Sequence, residues 1–197
     1  MTVTVKWPST TEILRFFGFG SEYAHGNPMS MERAMQRGRL VTRACELIAA
    51  GEPFKEGWEA DHPECVPYID AYRKFFREHR FTLREAETEY LCLPHRFVSH
   101  PDQVGELDAF GEVDLELKSG SMPFWCPLQT GGQVLAMGRP AMRRFALQLK
   151  DNGNYQLFPH EDFRDIDRFR SLVESYWTIQ EFGNGSGNPP TINYPGP

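Results

Sequence analysis

Two short stretches of this 197-residue chain combine carboxylates with an amine at a spacing that suits metal-assisted chemistry. Asp102 follows a proline, and Glu116 and Lys118 come later on an alternating segment, with a turn signal at 108–111 between them. If the flanking segments form an antiparallel hairpin, same-face pairing sets Asp102 opposite Glu116 or Lys118, with Cβ atoms about 5 Å apart. Residues two apart on a strand project to one face, so the three side chains converge on a small volume.

Two carboxylates at that separation repel each other unless a cation lies between them, and Mg²⁺ or Mn²⁺ is the natural candidate for oxygen ligands. A divalent ion activates water at neutral pH and neutralises a phosphate, while a lysine stabilises charge on the pentavalent centre. The combination therefore predicts hydrolysis of a phosphodiester bond by in-line attack of a metal-activated hydroxide. The same alternation is also typical of a half-solvated surface strand, and that alternative stays open.

Composition restricts the kinds of partner. The chain has 21 Lys and Arg against 27 Asp and Glu, a net charge of −6, so net charge alone cannot bind nucleic acid. A nucleic-acid partner needs a local basic surface or metal ions. No apolar run approaches the roughly 20 residues of a membrane span, and no secretory signal is evident, so we expect a cytoplasmic protein without membrane contact. The four cysteines, without a CxxC motif, predict buried reduced thiols, with an iron–sulfur cluster as a weaker alternative.

The hydrophobic periodicity predicts three helices, three strands, a helix, a hairpin and a final helix. This order predicts an α/β fold, a mixed β-sheet flanked by helices in a single domain over 1–182. The remaining stretch, 183–197, is rich in Gly, Asn and Pro and is expected to form a flexible tail. The helices are predicted at 8–17, 30–50, 63–80, 127–137 and 161–180, and the strands at 84–93, 96–107, 112–118, 145–149 and 155–158.

The order and spacing of these motifs resemble the PD-(D/E)XK nuclease superfamily, in particular its RecB-like and lambda-exonuclease-like branch, which is common in phages. The sequence Pro-Asp at 101–102 is similar to the first acidic motif of the family. The sequence Glu-Leu-Lys-Ser-Gly at 116–120 is similar to the second, and Gln129 opens the helix that follows. Arg37-Gly38 and the aromatic-rich helix around 67–76 resemble the two upstream helices of the family. The resemblance covers about residues 8–180.

This resemblance implies a restriction-endonuclease-like fold and a Mg²⁺-dependent DNA nuclease. It also implies an exonuclease-type role in phage or prophage DNA recombination or processing. Asp102, Glu116 and the main-chain carbonyl of Leu117 are then metal ligands, and Lys118 is the catalytic lysine. Gln129 is expected to position Lys118, the metal-bound water or the DNA backbone. DNA is the expected partner, together with a recombination partner protein and a homo-oligomer.

Further candidates surround this core. Glu87 stands on the predicted strand before Asp102 and is a further acidic member of the site, with a solvated strand face as the equal alternative. Arg37, Arg39 and Arg43, on the predicted helix at 30–50, are candidates for binding DNA phosphates.

The chain departs from the family pattern at two positions. Thr42 stands where the family has a helix histidine, which leaves the third metal ligand unassigned, and Glu46, one turn later, is the candidate replacement. A solvated helix position is the simpler interpretation of Glu46. Gln133 stands where an aromatic residue is expected four residues after Gln129. Two rival functions therefore remain: a catalytically weak nuclease-fold module that binds DNA or a host protein, and a structural or inhibitory phage protein.

Overall fold

The computed structural model describes residues 6–20 and 28–183. The predicted tail lies outside the described residues except for Gly183. The helices are α1 (Thr10–Phe16), α2 (Pro28–Ala50), α3 (Trp58–Asp61), α4 (Val66–His79), α5 (Cys126–Ala136) and α6 (Arg164–Phe182). The strands are β1 (Thr82–Ala86), β2 (Tyr90–Cys92), β3 (Phe97–Ser99), β4 (Gln103–Leu107), β5 (Gly111–Lys118), β6 (Arg143–Leu149) and β7 (Tyr155–Pro159).

Five strands form the main sheet in the order β1-β4-β5-β6-β7. The β5–β6 pair is parallel and the other three pairs are antiparallel. The parallel pair needs a crossover, and α5 supplies it between β5 and β6. The predicted fold class, an α/β domain with a mixed sheet flanked by helices, is confirmed.

The two faces of β5 carry different chemistry. Its apolar residues Val113, Leu115 and Leu117 belong to the large core cluster that also contains buried residues of α2 and α4. The alternate residues project from the opposite face of the sheet, where α5 makes hydrogen bonds to Glu116. Both Asp114 and Glu116 are buried there. The interpretation of this segment as a half-solvated surface strand is therefore wrong.

The strands predicted at 84–93 and 96–107 are wrong as continuous elements. Each is divided, so that β1 and β4 join the main sheet while β2 and β3 form a separate two-stranded sheet. The first break lies at Glu87, whose φ of 48° is left-handed and incompatible with an extended strand. The second break contains Pro101, which has no N–H to donate to a ladder. The Glu87 N–H donates to the Pro101 carbonyl at 3.2 Å, so the two breaks lie side by side.

The long helices agree better with the periodicity. Those predicted at 30–50, 63–80, 127–137 and 161–180 are confirmed, with each boundary within three residues of the observed one. Within residues 6–20 and 28–183, no helix has the length and apolar content needed to cross a bilayer. The four cysteines are buried free thiols, as the sequence predicted.

Two adjacent glycines allow α5 to approach its neighbours closely. A Cβ on Gly132 would lie 2.7 Å from Cε1 of Phe169 on α6 and 2.8 Å from Cγ2 of Thr10 on α1. A Cβ on Gly131 would lie 3.0 Å from the carbonyl oxygen of Asp165. These separations are too short for a methyl group, so the glycines fix how deeply α5 sits between α1, α6 and the sheet.

We predict that Gly132→Ala destabilises the fold although alanine is the better helix former. The overpacking against Phe169 costs about 1–3 kcal/mol. Gly38→Ala in α2 is the matched control, because its nearest neighbour, Oγ of Ser119, lies at an ordinary 3.7 Å. That change is expected to stabilise the protein by up to about 1 kcal/mol. Urea unfolding of both variants measures the difference, and equal effects would contradict the close packing of α5.

Candidate active site

The β4–β5 hairpin brings Asp102, Glu116 and Lys118 together. Gln103 pairs with Leu115, so Asp102, one residue earlier, comes level with Glu116. The Asp102 Oδ2 atom accepts the Leu117 N–H at 2.6 Å, which extends the ladder through a side chain. The Lys118 Nζ atom donates to Glu116 Oε1 at 2.5 Å. One ammonium and two carboxylates thus meet at the end of the hairpin.

Gln129, in the first turn of α5, closes this group from above the sheet. Its Oε1 accepts from Lys118 Nζ at 3.1 Å, and its Nε2 donates to Glu116 Oε1 at 2.7 Å. The three side chains therefore form a closed ring of hydrogen bonds. Gln129 orders both Lys118 and Glu116, and its own amide has a partner at each end.

Gln133 is a site residue that the sequence reasoning missed. Its Nε2 donates to Glu116 Oε2 at 2.6 Å, and the side chain is buried. The signal was present in the sequence, because residues four apart on a helix share a face and Gln133 lies one turn after Gln129. Comparison with the family pattern recorded this position only as a missing aromatic.

Two further glutamates lie near the Asp102–Glu116 pair. Glu46 on α2 is only 8% exposed, so the solvated position favoured from the sequence is wrong, and its Oε2 accepts from Arg43 Nη1 at 2.6 Å. Glu87 is exposed at the break after β1, not on a strand. Partial burial raises the pKa of the Glu87 carboxyl, and the charges of Glu46 and Glu116 raise it further. Negative charge therefore accumulates around Glu116.

The electrostatics of the central group follow from burial and charge. Burial and then the charge of Glu116 raise the pKa of Asp102 well above its ordinary value, against the opposing effects of Lys118 and the Leu117 N–H. Burial alone would favour the neutral amine of Lys118. Burial is the largest single effect, but the charges of Glu116, Cys126 and Asp102 and the hydrogen bond to Glu116 together exceed it. They raise the pKa of Lys118 above its ordinary value, so the ammonium stays protonated at neutral pH.

Asp114 adds a further carboxylate on the same face of β5, two residues before Glu116, and the sequence reasoning did not single it out. It is fully buried, and neither of its oxygens has a hydrogen-bond partner in the described part of the chain. Burial raises the pKa of Asp114, as do Glu116 and Asp102, while Arg144 opposes them. Arg144, which is also buried, lies directly opposite Asp114 in the parallel pairing of β5 with β6.

The donor set fits a hard divalent cation that keeps much of its water. Both lone pairs of Glu116 Oε1 are used by Lys118 and Gln129, while Oε2 has one donor and retains a lone pair. Asp102 accepts the Leu117 N–H through Oδ2 and offers its other oxygen. No three His, Cys, Asp or Glu side chains over 6–20 and 28–183 are grouped closely enough to enclose a metal. Magnesium commonly binds through one or two carboxylates and several waters.

The three candidate arginines on α2 have different surroundings. Arg37 Nη2 donates to the Ser119 carbonyl at 3.2 Å, and its guanidinium lies 5.0 Å from the Tyr68 ring centroid. Arg43 forms an ion pair with Glu46, while Arg39 is exposed. Arg37 therefore ties α2 to the residue that follows Lys118. Binding of DNA phosphates by the three arginines stays a prediction.

Comparison with known proteins gives a weak structural similarity, from which no role follows. No protein-family model matches the chain, and no curated protein has a significantly similar sequence. Among solved structures, the chain is similar to the crystal structure of LHK-Exo in complex with dAMP, with a TM-score of 0.43 and 13% identity. The match covers 86% of this chain and 85% of that one. The dAMP is a ligand of that protein, and no role is transferred from it to this chain.

We predict that Asp102→Asn stabilises the metal-free protein while removing its response to divalent ions. The amide still accepts the Leu117 N–H but carries no charge against Glu116, a gain of about 1 kcal/mol. The wild type is expected to gain thermal stability when Mn²⁺ is added, and the variant is not. Calorimetric unfolding with and without Mn²⁺ measures both effects. An equal Mn²⁺ response in the two proteins would contradict the role of Asp102.

We predict that His160 makes the fold sensitive to mild acid. Burial and the charge of Arg144 lower the pKa of His160 to about 4, and its Nδ1 lies 2.9 Å from Thr130 Oγ1. Above pH 6.5 the imidazole is neutral in both states. Below that pH the unfolded chain gains protons that the folded chain does not, so stability falls as the pH is lowered towards 4.

The comparison of wild type with His160→Gln isolates this effect from the carboxylates, whose raised pKa values act in the opposite direction. Between pH 7.5 and 5, the wild type should lose about 2 kcal/mol more than the variant. Urea unfolding at the two pH values gives the difference. Identical losses would show that His160 does not carry the acid sensitivity.

Proposed function

We propose that the chain is a metal-dependent nuclease that hydrolyses phosphodiester bonds in DNA, as an exonuclease in phage or prophage DNA recombination or processing. The observation that carries the nuclease proposal is the meeting of the buried Glu116 with the half-buried Asp102 and a protonated Lys118 on the β4–β5 hairpin. The exonuclease type, the phage role, a recombination partner protein and a homo-oligomer come from the sequence resemblance alone. A cytoplasmic location is likewise only a prediction from the sequence.

In this proposal each side chain has a separate task. Asp102, Glu116 and the Leu117 carbonyl would hold a Mg²⁺ or Mn²⁺ ion, and such an ion would supply an activated water and charge neutralisation at the phosphate. Lys118 stabilises the negative charge that develops on the phosphate oxygens, because Glu116 keeps it protonated. Gln129 keeps Lys118 and Glu116 in a fixed relation through its two hydrogen bonds.

An exposed aromatic surface next to the site supports a nucleic-acid substrate. The Phe124 side chain is 76% exposed, and its ring centroid lies 6.1 Å from that of Phe19. The next residue, Trp125, has its ring centroid 5.8 Å from Lys118 Nζ. A base that stacks on Phe124 would therefore belong to a nucleotide close to the reacting phosphate.

We predict that Glu116→Gln and Lys118→Ala abolish most nuclease activity. Each change removes a charge that acts on the reacting phosphate or its metal, a loss of at least about 10²–10³-fold in kcat. The assay uses linear duplex and single-stranded DNA with Mg²⁺ or Mn²⁺. Lys150→Ala is the control, because the amine of that lysine donates to the exposed Gln156 on the β6–β7 hairpin. Retained cleavage in both site variants would remove the assigned mechanism.

A second candidate function is a nuclease-fold module that binds DNA or a host protein without efficient catalysis. Two features favour it: Glu116 already has three hydrogen-bond donors, and Thr42 replaces the family histidine. Titration of the metal-free protein with Mn²⁺ separates the two functions. The nuclease binds the ion with a stoichiometry near one, whereas the module binds DNA equally well in EDTA and shows no saturable heat with Mn²⁺.

A further inference from the structure

The Glu116 carboxylate is held by two glutamines that approach its two oxygens separately. Gln129 donates to Oε1 at 2.7 Å and Gln133 donates to Oε2 at 2.6 Å. With both oxygens bonded from one helix, the carboxylate group cannot rotate about its terminal bond. The Oε1 atom of Glu116 accepts from both Gln129 and Lys118, whereas Gln133 is the sole donor to Oε2 in the described part of the chain.

The orientation of the Gln133 amide is fixed by chemistry. An ionised carboxylate only accepts hydrogen bonds, so the amide nitrogen must be the atom that meets Glu116. The Gln133 Oε1 atom is then left buried without a hydrogen-bond partner among the described residues, in a side chain that is 1% exposed. An unpaired buried acceptor costs about 1–3 kcal/mol, so this glutamine is a poor choice for stability alone.

The packing of α5 gives Gln133 its access to Glu116. Gly131 and Gly132 lie between the two glutamines, and their missing side chains let α5 approach α6 and α1. Residues four apart then face the sheet together. Gln133 therefore meets Glu116 because of the same close approach that the glycines permit.

We propose that Gln133 is a positioning residue, which fixes the rotation of the Glu116 carboxylate so that its remaining lone pair is presented to the divalent ion. The inference rests on the proposed function, since it concerns the same site. Residues that orient a metal ligand typically change metal affinity or activity by about 10–100-fold when they are replaced.

The test replaces Gln133 by methionine, which keeps the length of the side chain but cannot donate. Gln103→Met is the matched control, because Gln103 is 0% exposed and bonds Tyr72 on the other face of the sheet. Among residues 6–20 and 28–183, Gln103 also has one amide atom without a hydrogen-bond partner, as Gln133 does. Titration calorimetry with Mn²⁺ and steady-state DNA cleavage are measured for wild type and both variants, with thermal unfolding as the check on folding.

Gln133→Met is expected to weaken Mn²⁺ binding about 10-fold or more and to lower kcat, while Gln103→Met lowers thermal stability and leaves both near wild type. Wild-type Mn²⁺ affinity and kcat in Gln133→Met would overturn the inference. A wild type that neither binds Mn²⁺ nor cuts DNA would instead overturn the proposed function.

A measurement on the wild type covers the case in which Gln133→Met does not fold. Nitrogen-15 spectra record the side-chain amide of Gln133, which donates to Glu116 Oε2. A cation that binds Glu116 changes the charge that this amide group faces. Saturating Mg²⁺ is expected to shift the Gln133 amide signals and to leave those of Gln103 in place. Unchanged Gln133 signals, at a Mg²⁺ concentration that shifts the Leu117 backbone amide, would overturn the inference.

Discussion

The interaction on which the site depends is the contact between Lys118 and Glu116 under α5. Carboxylates of like charge repel. Asp114 and Glu116 are buried two residues apart on β5, and the half-buried Asp102 lies level with Glu116. The protonated lysine offsets part of that repulsion, and amide donors from α5 spread the charge of Glu116 over further dipoles. The polar cluster can therefore occupy the interior, with its residual negative charge available to a cation.

The main sheet and its helices supply this polar cluster with a rigid base. One face of β5 packs into an apolar core with α2 and α4, and the other carries the charged residues beneath α5. The alternation of a strand allows both functions in one eight-residue element. The strand is anchored on both sides, antiparallel to β4 and parallel to β6, so the positions of its side chains follow from the ladder.

Much of this was predictable from the sequence, because hairpin register and helical periodicity are local signals. The fold class, the long helices and the placement of Asp102 opposite Glu116 or Lys118 followed from such patterns, and the observed register selects Glu116. The break at Glu87 was missed because the alternation of residues continued through it, whereas the backbone of Glu87 is left-handed. The break at Pro101 had a signal in the sequence, since proline cannot donate to a ladder. The burial of Glu46 and the contact of Gln133 with Glu116 depend on how helices dock, which a single sequence does not reveal.

The link between Arg37 and Ser119 has a consequence for how such a chain can change through evolution. The guanidinium of Arg37 lies over the Tyr68 ring and donates a hydrogen bond to the carbonyl oxygen of Ser119, the residue after Lys118. An insertion or deletion in the connection from β5 to α5 would move that oxygen away from its anchor. We therefore expect changes in the length of this loop to be accompanied by compensating substitutions on α2, so that the two segments vary together.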